Sequence, residues 1–343
     1  MRPPWRALAS ASPEGRTPVV ERTSLGVVRG VLIVNPHATT TSPLTTDVIV
    51  QAASHELDLD VTFTTHRGHA VTIARDARSR HLDVVMTLGG DGLINEVING
   101  LLEPDMEGPV PRIAPIPGGS ANVFARALGI PTDPVEATGL ILRGIRNGRC
   151  RGIGLGMARI ERPSVREDRW FAVNAGIGID AQIIESVDQQ RMRGRSATPM
   201  RYLTTTVREL LTRIDRNTPA LTLSRPGMTP VRAVLMCLVQ NTAPWTYFGP
   251  WPIDPNPWAS FETGLDLFAM KSLGPWATAR AARRMVLRTP GLLPSRGLLT
   301  WHDVAEFEVA ASREVPMQAD GESVGSVTGV RFLARPDAIQ VVC

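Results

Sequence analysis

The chain has 343 residues, 43% of them apolar and 20% charged, with a formal net charge of +4. Its 30 Gly and 28 Pro stay below low-complexity levels, which excludes collagen, coiled coil and wholesale disorder. Among 37 Lys and Arg only Lys271 is a lysine, and no G-x-x-x-x-G-K-[ST] string or V-A-I-K, H-R-D and D-F-G set occurs, so P-loop NTPases and protein kinases are excluded.

Any phosphate site must therefore use backbone amides, arginine or a metal. Cys150, Cys237 and Cys343 form no C-x-x-C, which argues against zinc and iron–sulfur sites and fits a reducing compartment. At about 150 residues per domain, the length suggests two domains. Residues 1–26 carry Arg and Pro without an apolar core and are expected to be a disordered leader, not a secretory signal. The longest apolar run, Ala233–Val239, spans seven residues. A membrane-crossing helix needs roughly 20. The expectation is a cytoplasmic protein that can lie on a membrane but does not span one.

The first half alternates strand and helix. Strands are expected at Gly30–Asn35, Leu59–Thr64, Leu82–Leu88 and Ile113–Ile116. Helices are expected at residues 43–58, Gly68–Arg80, Leu93–Leu102 and Ser120–Leu128. Strands separated by helices of this length imply a parallel sheet with crossover helices. Near Arg149 the pattern changes. Short β-rich runs follow at Arg151–Ile160, Trp170–Gly176, Ala220–Ser224, Val231–Gln240, Leu265–Lys271, Val304–Ala310 and Val330–Leu333. They imply an antiparallel domain interrupted by helices near 198–214 and 275–288. The boundaries are placed at 27–148 for the α/β domain and 149–327 for the β domain. A final segment at about 328–343 closes the chain.

Two glycine turns carry the chemistry. Thr87–Leu101 (TLGGDGLINEVINGL) runs from a buried strand through Gly89-Gly90-Asp91-Gly92 into an amphipathic helix. Glycine allows close backbone approach, and a helix N-terminus offers N–H groups to phosphate. A plain tight turn accounts for the string equally well. Asn95, Glu96 and Asn99 add polar groups to that helix, although some could simply face water. Pro115–Pro131 repeats the design with Gly118-Gly119 and with Ser120 as the expected N-cap. Two such turns at one carboxyl edge point to a phosphate-binding cleft more strongly than one does. Far downstream, Asp320-Gly321-Glu322 reads on its own as a hairpin turn.

Together these strings resemble the diacylglycerol kinase catalytic-domain family, which includes bacterial soluble lipid kinases and sphingosine kinases. Gly89–Leu101 is similar to G-G-D-G-T-x-N-E-V-x-N-G-L, with Leu93 for threonine. Pro117–Gly129 is similar to P-x-G-T-x-N-D-F-A-R-x-L-G, with Ser120 for threonine and Val123 for aspartate. Asn35-Pro36 resembles the family's first strand end, where Thr39-Thr40 replace Ser-Gly. Thr64/Thr65 with Gly68-His69-Ala70, the Asn174–Ala181 segment and Asp320-Gly321-Glu322 complete the match, in order, from residue 27 to 343.

The resemblance implies an α/β N-terminal domain of the NAD kinase and phosphofructokinase type, with a parallel sheet and crossover helices, joined to a C-terminal antiparallel β-sandwich. It also implies that the segment at about 328–343 returns to the first domain. It implies that ATP and Mg²⁺ bind in the cleft between them. Nucleotide residues would be Asn35, Thr65 (or Thr64), Gly89, Gly90, Asp91, Gly92, Asn95, Glu96, Gly118, Gly119, Ser120, Asn122 and Glu322. Asp320 would be the general base that takes the proton of a lipid hydroxyl. Diacylglycerol is the expected acceptor, giving phosphatidic acid and a place in phospholipid biosynthesis. A structural metal would lie near Glu262 and Asp266, the nearest match to D-G-x-L-D. Leu93, Val123 and Thr40 depart from the family. They keep open a weak or inactive pseudokinase, and a sphingoid base or NAD as acceptor.

A lipid kinase must reach a bilayer. Arg280, Arg283, Arg284 and Arg288 share helical spacing, with Trp276 and Leu287 among them. This suits an anionic membrane surface and equally an ordinary solvated face. Arg191, Arg193 and Arg195 carry the same two readings. Tyr247, Trp251 and Trp258 would line an acyl-chain entrance or pack in the core. The expected partner is a lipid at a membrane surface, not nucleic acid, and a homodimer is left open.

Overall fold

The computed structural model describes residues 27–39, 42–161, 166–178, 219–287 and 297–343. The expected leader, Thr40, Asp180, the arginines at 191–195, the helix at 198–214 and Arg288 lie outside the described residues.

The first half is β1 (Arg29–Val34), α1 (Pro43–Glu56), β2 (Asp58–Phe63), α2 (His69–Ser79), β3 (Val84–Gly89), α3 (Asp91–Leu101), β4 (Arg112–Pro117), α4 (Val123–Ala127) and α5 (Pro134–Arg146). The strands pair in parallel in the order β4-β3-β1-β2. Every residue of β3 is buried, as a central strand covered on both faces requires. Helix α1 opens on Ser42, whose hydroxyl accepts the Thr45 N–H, with Pro43 behind it. Helix α5 was not expected, yet its start signal is plain. Asp133 caps the N–H groups of Val135 and Glu136 at 2.9 Å, and Pro134 follows it.

The second half is β5 (Arg151–Glu161), β6 (Arg166–Phe171), β7 (Asn174–Ile177), β8 (Leu221–Ser224), β9 (Val231–Val234), β10 (Met236–Gln240), β11 (Thr246–Phe248), β12 (Trp251–Ile253), β13 (Leu265–Met270), α6 (Pro275–Leu287), β14 (Leu298–Val304), β15 (Glu306–Ala319) and β16 (Glu322–Val341). The pairings among these strands are antiparallel. The two halves share one sheet, in the order β14-β13-β10-β7-β15-β16-β4-β3-β1-β2. Strand β16 joins them. It pairs with β15 and β5 and, at Val341, in parallel with Ile113 of β4.

Three cores follow. One fills the α/β half and one the antiparallel half. The third lies under α6 and shows the period of two expected of a strand covered on both sides. Leu265, Leu267 and Ala269 of β13 enter the second core, whereas Phe268 and Met270 enter the third with Ala281 of α6. Arg284 also turns inward, and its Nε donates to the Pro255 carbonyl at 3.1 Å. It therefore leaves the expected basic face to Arg280 and Arg283, which are exposed. Among the described residues no helix is long and apolar enough to cross a membrane.

Candidate active site

Strands β3 and β4 end side by side. The Gly118 N–H donates to the Gly89 carbonyl at 2.7 Å. One residue on, the two turns touch. A Cβ on Gly119 would sit 2.7 Å from the Gly90 Cα. Backbone against backbone leaves no room to relax, so both positions need glycine. Gly90 is the N-cap of α3 in extended conformation, with no side-chain hydrogen bond capping the helix. Asn35 reaches the same edge. Its N–H donates to Leu88, and its Oδ1 accepts the His37 N–H at 3.0 Å. Thr65 follows β2, exposed, with its hydroxyl in hydrogen bonds to His66 and His69. Leu93, which stands where the family has threonine, is buried over Gly89.

Asp91 does not face outward from its turn. Its two oxygens accept the Val123 and Phe124 N–H groups at 3.0 and 2.9 Å, and so cap α4 from the neighbouring turn. This corrects two expectations. Ser120 is exposed and is not the N-cap, because the helix starts three residues later at Val123. The cap position is Asn122, held at φ 48 and bonded to Gly119 in both directions, at 2.8 and 2.7 Å. The start of α4 is consequently occupied, and α3 alone presents its N-terminus to a ligand. Burial pushes the Asp91 carboxyl above the ordinary range, against the pull of the two N–H groups.

Asp320 is both a hairpin residue and a buried acid. Ala319 pairs with Glu322, and Asp320 and Gly321 both have positive φ, at 48 and 81, which is the two-residue turn that Asp-Gly favours. The Asp320 carboxylate lies where the two halves meet. Oδ1 accepts the N–H groups of Val173 and Asn174 at 2.8 and 3.0 Å. Oδ2 accepts the Ala172 N–H at 2.7 Å and the Asn95 amide of α3 at 2.8 Å. These demands explain why the strand run expected over Trp170–Gly176 breaks at Ala172-Val173: those N–H groups serve Asp320. Burial raises the pKa of Asp320 above the ordinary carboxylate range, and the four donors oppose it.

Arg169 has no motif and escaped the sequence reading. Its Nη2 donates to Asn95 Oδ1 at 2.9 Å and lies 3.4 Å from Glu322 Oε2. A guanidinium only donates, so it fixes the Asn95 amide with its NH₂ toward Asp320. Asn99 supports the same amide and receives the Trp170 N–H. Glu322 stands beside Gly92 at the start of α3: a Cβ on Gly92 would lie 2.9 Å from its Oε1.

Three expected residues lie elsewhere. Glu96 is bound to α2 and not to a nucleotide face, since its oxygens accept the Gly68 and Ala70 N–H groups at 2.8 and 3.1 Å. Glu262 pairs with Arg151 and Ser260, and the Ser260 hydroxyl chiefly holds its carboxyl below the usual range. Asp266 is buried with His302 Nδ1 at 2.8 Å and the Asp303 N–H at 3.0 Å. The two acids thus have separate partners. Among the described residues no group of three or more metal-ligating side chains forms a closed metal site. Glu322 stands beside the start of α3, and a cation held by one or two carboxylates plus phosphate oxygens is the usual Mg²⁺ arrangement, so this edge suits Mg²⁺.

The parallel half resembles known proteins. Residues 29–150 match the family described as diacylglycerol kinase catalytic domain. This part of the chain is similar to that family. The domain is 42% identical over 83 residues to the diacylglycerol kinase of Bacillus subtilis (strain 168), a match covering 24% of this chain and 26% of that protein. It is 36% identical over 98 residues to the diacylglycerol kinase of Staphylococcus saprophyticus, covering 29% and 31%. The matches therefore span no more than a third of these relatives. The fold reaches further. A diacylglycerol kinase structure from Bacillus anthracis aligns over 93% of this chain and 98% of its own, with TM-score 0.66 and 19% identity. Yeast NADH kinase aligns over 92% and 83%, with TM-score 0.50 and 10% identity. The kinase-family domain and its antiparallel partner thus share the architecture of diacylglycerol and NAD(H) kinases.

Proposed function

We propose that this protein is an ATP-dependent lipid kinase that transfers the γ-phosphoryl group to a lipid hydroxyl, with diacylglycerol the acceptor and phosphatidic acid the product. The observation that carries the reading is Asp320. A buried carboxylate from the last hairpin meets Asn95 one turn inside the helix that starts at Gly90-Asp91.

The phosphates would lie against the backbone of Gly90–Gly92 and Gly118–Ser120, at the positive end of α3. Asn35 and Thr65 flank the same strand ends and would hold the remainder of the nucleotide. Mg²⁺, when bound, neutralises phosphate charge, and Glu322 with the phosphate oxygens would hold it. Asp320 takes the proton from the acceptor hydroxyl as its oxygen bonds to the γ-phosphorus and the bond to the β-phosphate oxygen breaks. Both Asp320 oxygens are already saturated, so one donor must yield. Asn95 supplies the one side-chain donor of the four and is the group that gives way. Base catalysis of this kind contributes typically 10²–10⁴-fold.

A second reading has its own observation. Leu93 and Val123 are both buried, so two polar groups of the family pattern are replaced by packing. That favours a nucleotide-binding pseudokinase. Transfer from labelled ATP with Mg²⁺ to diacylglycerol, sphingosine, ceramide and NAD separates the two, with Asp320→Asn as control. Labelled phosphatidic acid from the wild type alone supports the kinase. Bound ATP with no labelled product supports the pseudokinase, and labelled NADP would move the acceptor.

A further inference from the structure

Helix α6 presents an outer face that is open among the described residues. Trp276 is 85% exposed and Leu287 53% exposed, and Arg280 and Arg283 between them are exposed as well. The spacings are four, three and four residues, so the four side chains form one stripe. The helix sequence, PWATARAARRMVL, contains no acid. Val286 is exposed beside the stripe, and Lys271, also exposed, ends the strand that leads into the helix.

The inner face is anchored. Ala281 is in the third core, and Arg284 is tied to the Pro255 carbonyl. The Asp254 N–H donates to the Met285 carbonyl at 2.9 Å. From there a buried path leads to the base. Asp254 Oδ1 accepts Gln240 Nε2 at 3.1 Å, Gln240 pairs with Asn174 across β10 and β7, and the Asn174 N–H donates to Asp320. The β11–β12 hairpin packs near the same helix. It carries Trp251, 68% exposed, and its Tyr247 ring lies under Arg126 of α4.

We propose that the outer stripe of α6, formed by Trp276, Arg280, Arg283 and Leu287, seats the protein on an anionic lipid bilayer. Arginines interleaved with large apolar groups on one exposed stripe match the boundary between charged headgroups and acyl chains. Tryptophan is favoured at that depth. The uniform sign of the helix selects an anionic surface. The surface deepens the lipid-kinase reading and rests on it for its purpose: a helix fixed by hydrogen bonds to the framework of Asp320 would hold the base in a constant relation to the bilayer.

The test is co-sedimentation of the full chain with vesicles of phosphatidylcholine, with and without phosphatidylglycerol. Binding should require phosphatidylglycerol and weaken with salt. Each arginine near the surface contributes about fivefold to partitioning, so Arg280→Gln with Arg283→Gln should lower it by about 30-fold. Trp276→Ser should weaken binding and abolish any blue shift of indole emission that depends on that residue. Unchanged thermal unfolding of the variants shows that they are folded. Failure of the wild type to bind, or variants that bind like it, overturns the proposal. Equal, salt-independent binding to phosphatidylcholine overturns the charge argument, and capture by an acidic protein in place of vesicles assigns the stripe to that partner instead. A chain that seats on vesicles but transfers no phosphate refutes the kinase reading alone. One that phosphorylates dispersed diacylglycerol but ignores vesicles refutes the docking surface alone.

Discussion

The two sides of the site are built by different means. At the glycine edge of the parallel half, Gly90 and Gly119 meet backbone to backbone, and the surface offered to a ligand is main chain. At the hairpin of the antiparallel half, the working part is one side chain, Asp320, surrounded by main-chain donors. Asn95 connects the two sides. On the proposed reading, the contrast makes binding and proton transfer separable: the first would depend on the absence of side chains, the second on the presence of one.

Mutations should break that separation cleanly. Asp320→Ala should lower turnover by about 10²–10⁴-fold while ATP affinity, read by calorimetry, stays within a few-fold. Gly119→Ala should do the reverse and weaken ATP binding, because the new Cβ would sit 2.7 Å from the Gly90 Cα. If both variants lose ATP binding equally, the two sides are one unit. Asp91→Ala removes the cap of α4, and thermal or urea unfolding should show a loss of about 1–2 kcal/mol.

The smallest effect concerns Glu262, which sharpens the contrast by lying outside both sides. Its folded-state pKa is depressed by Ser260 and Arg151, so the stabilisation is present above the unfolded value and is lost as pH falls through the folded one. The pair is about half exposed, so Arg151→Ala should cost under about 1 kcal/mol at neutral pH and nothing in acid. A larger cost, or one that depends on added divalent cation, would return Glu262 to a metal role.

Local signals made the parallel half legible. Strand runs, glycine turns and spaced apolar helices placed each element through α4 to within a few residues. The Asp133-Pro134 start of α5 was equally local and was passed over. What the sequence concealed was long-range. The role of Glu96 as cap of α2 depends on a neighbour 26 to 28 residues away. Arg169 meets Asn95 across 74 residues, and no string marks it. Asp320 was visible because Asp-Gly-Glu is a motif. Its four donors were not, since three of them are backbone groups at a strand break.

Strand β16 has a consequence for synthesis. The first half is translated early, yet β4 keeps an open edge until Val341 arrives to pair with Ile113. An unpaired parallel edge is sticky, and contacts so distant in sequence form slowly. The emerging chain must therefore hold a nearly finished parallel half in waiting until β16 leaves the ribosome. Nascent-chain proteolysis should find that half protected only after β16 is out.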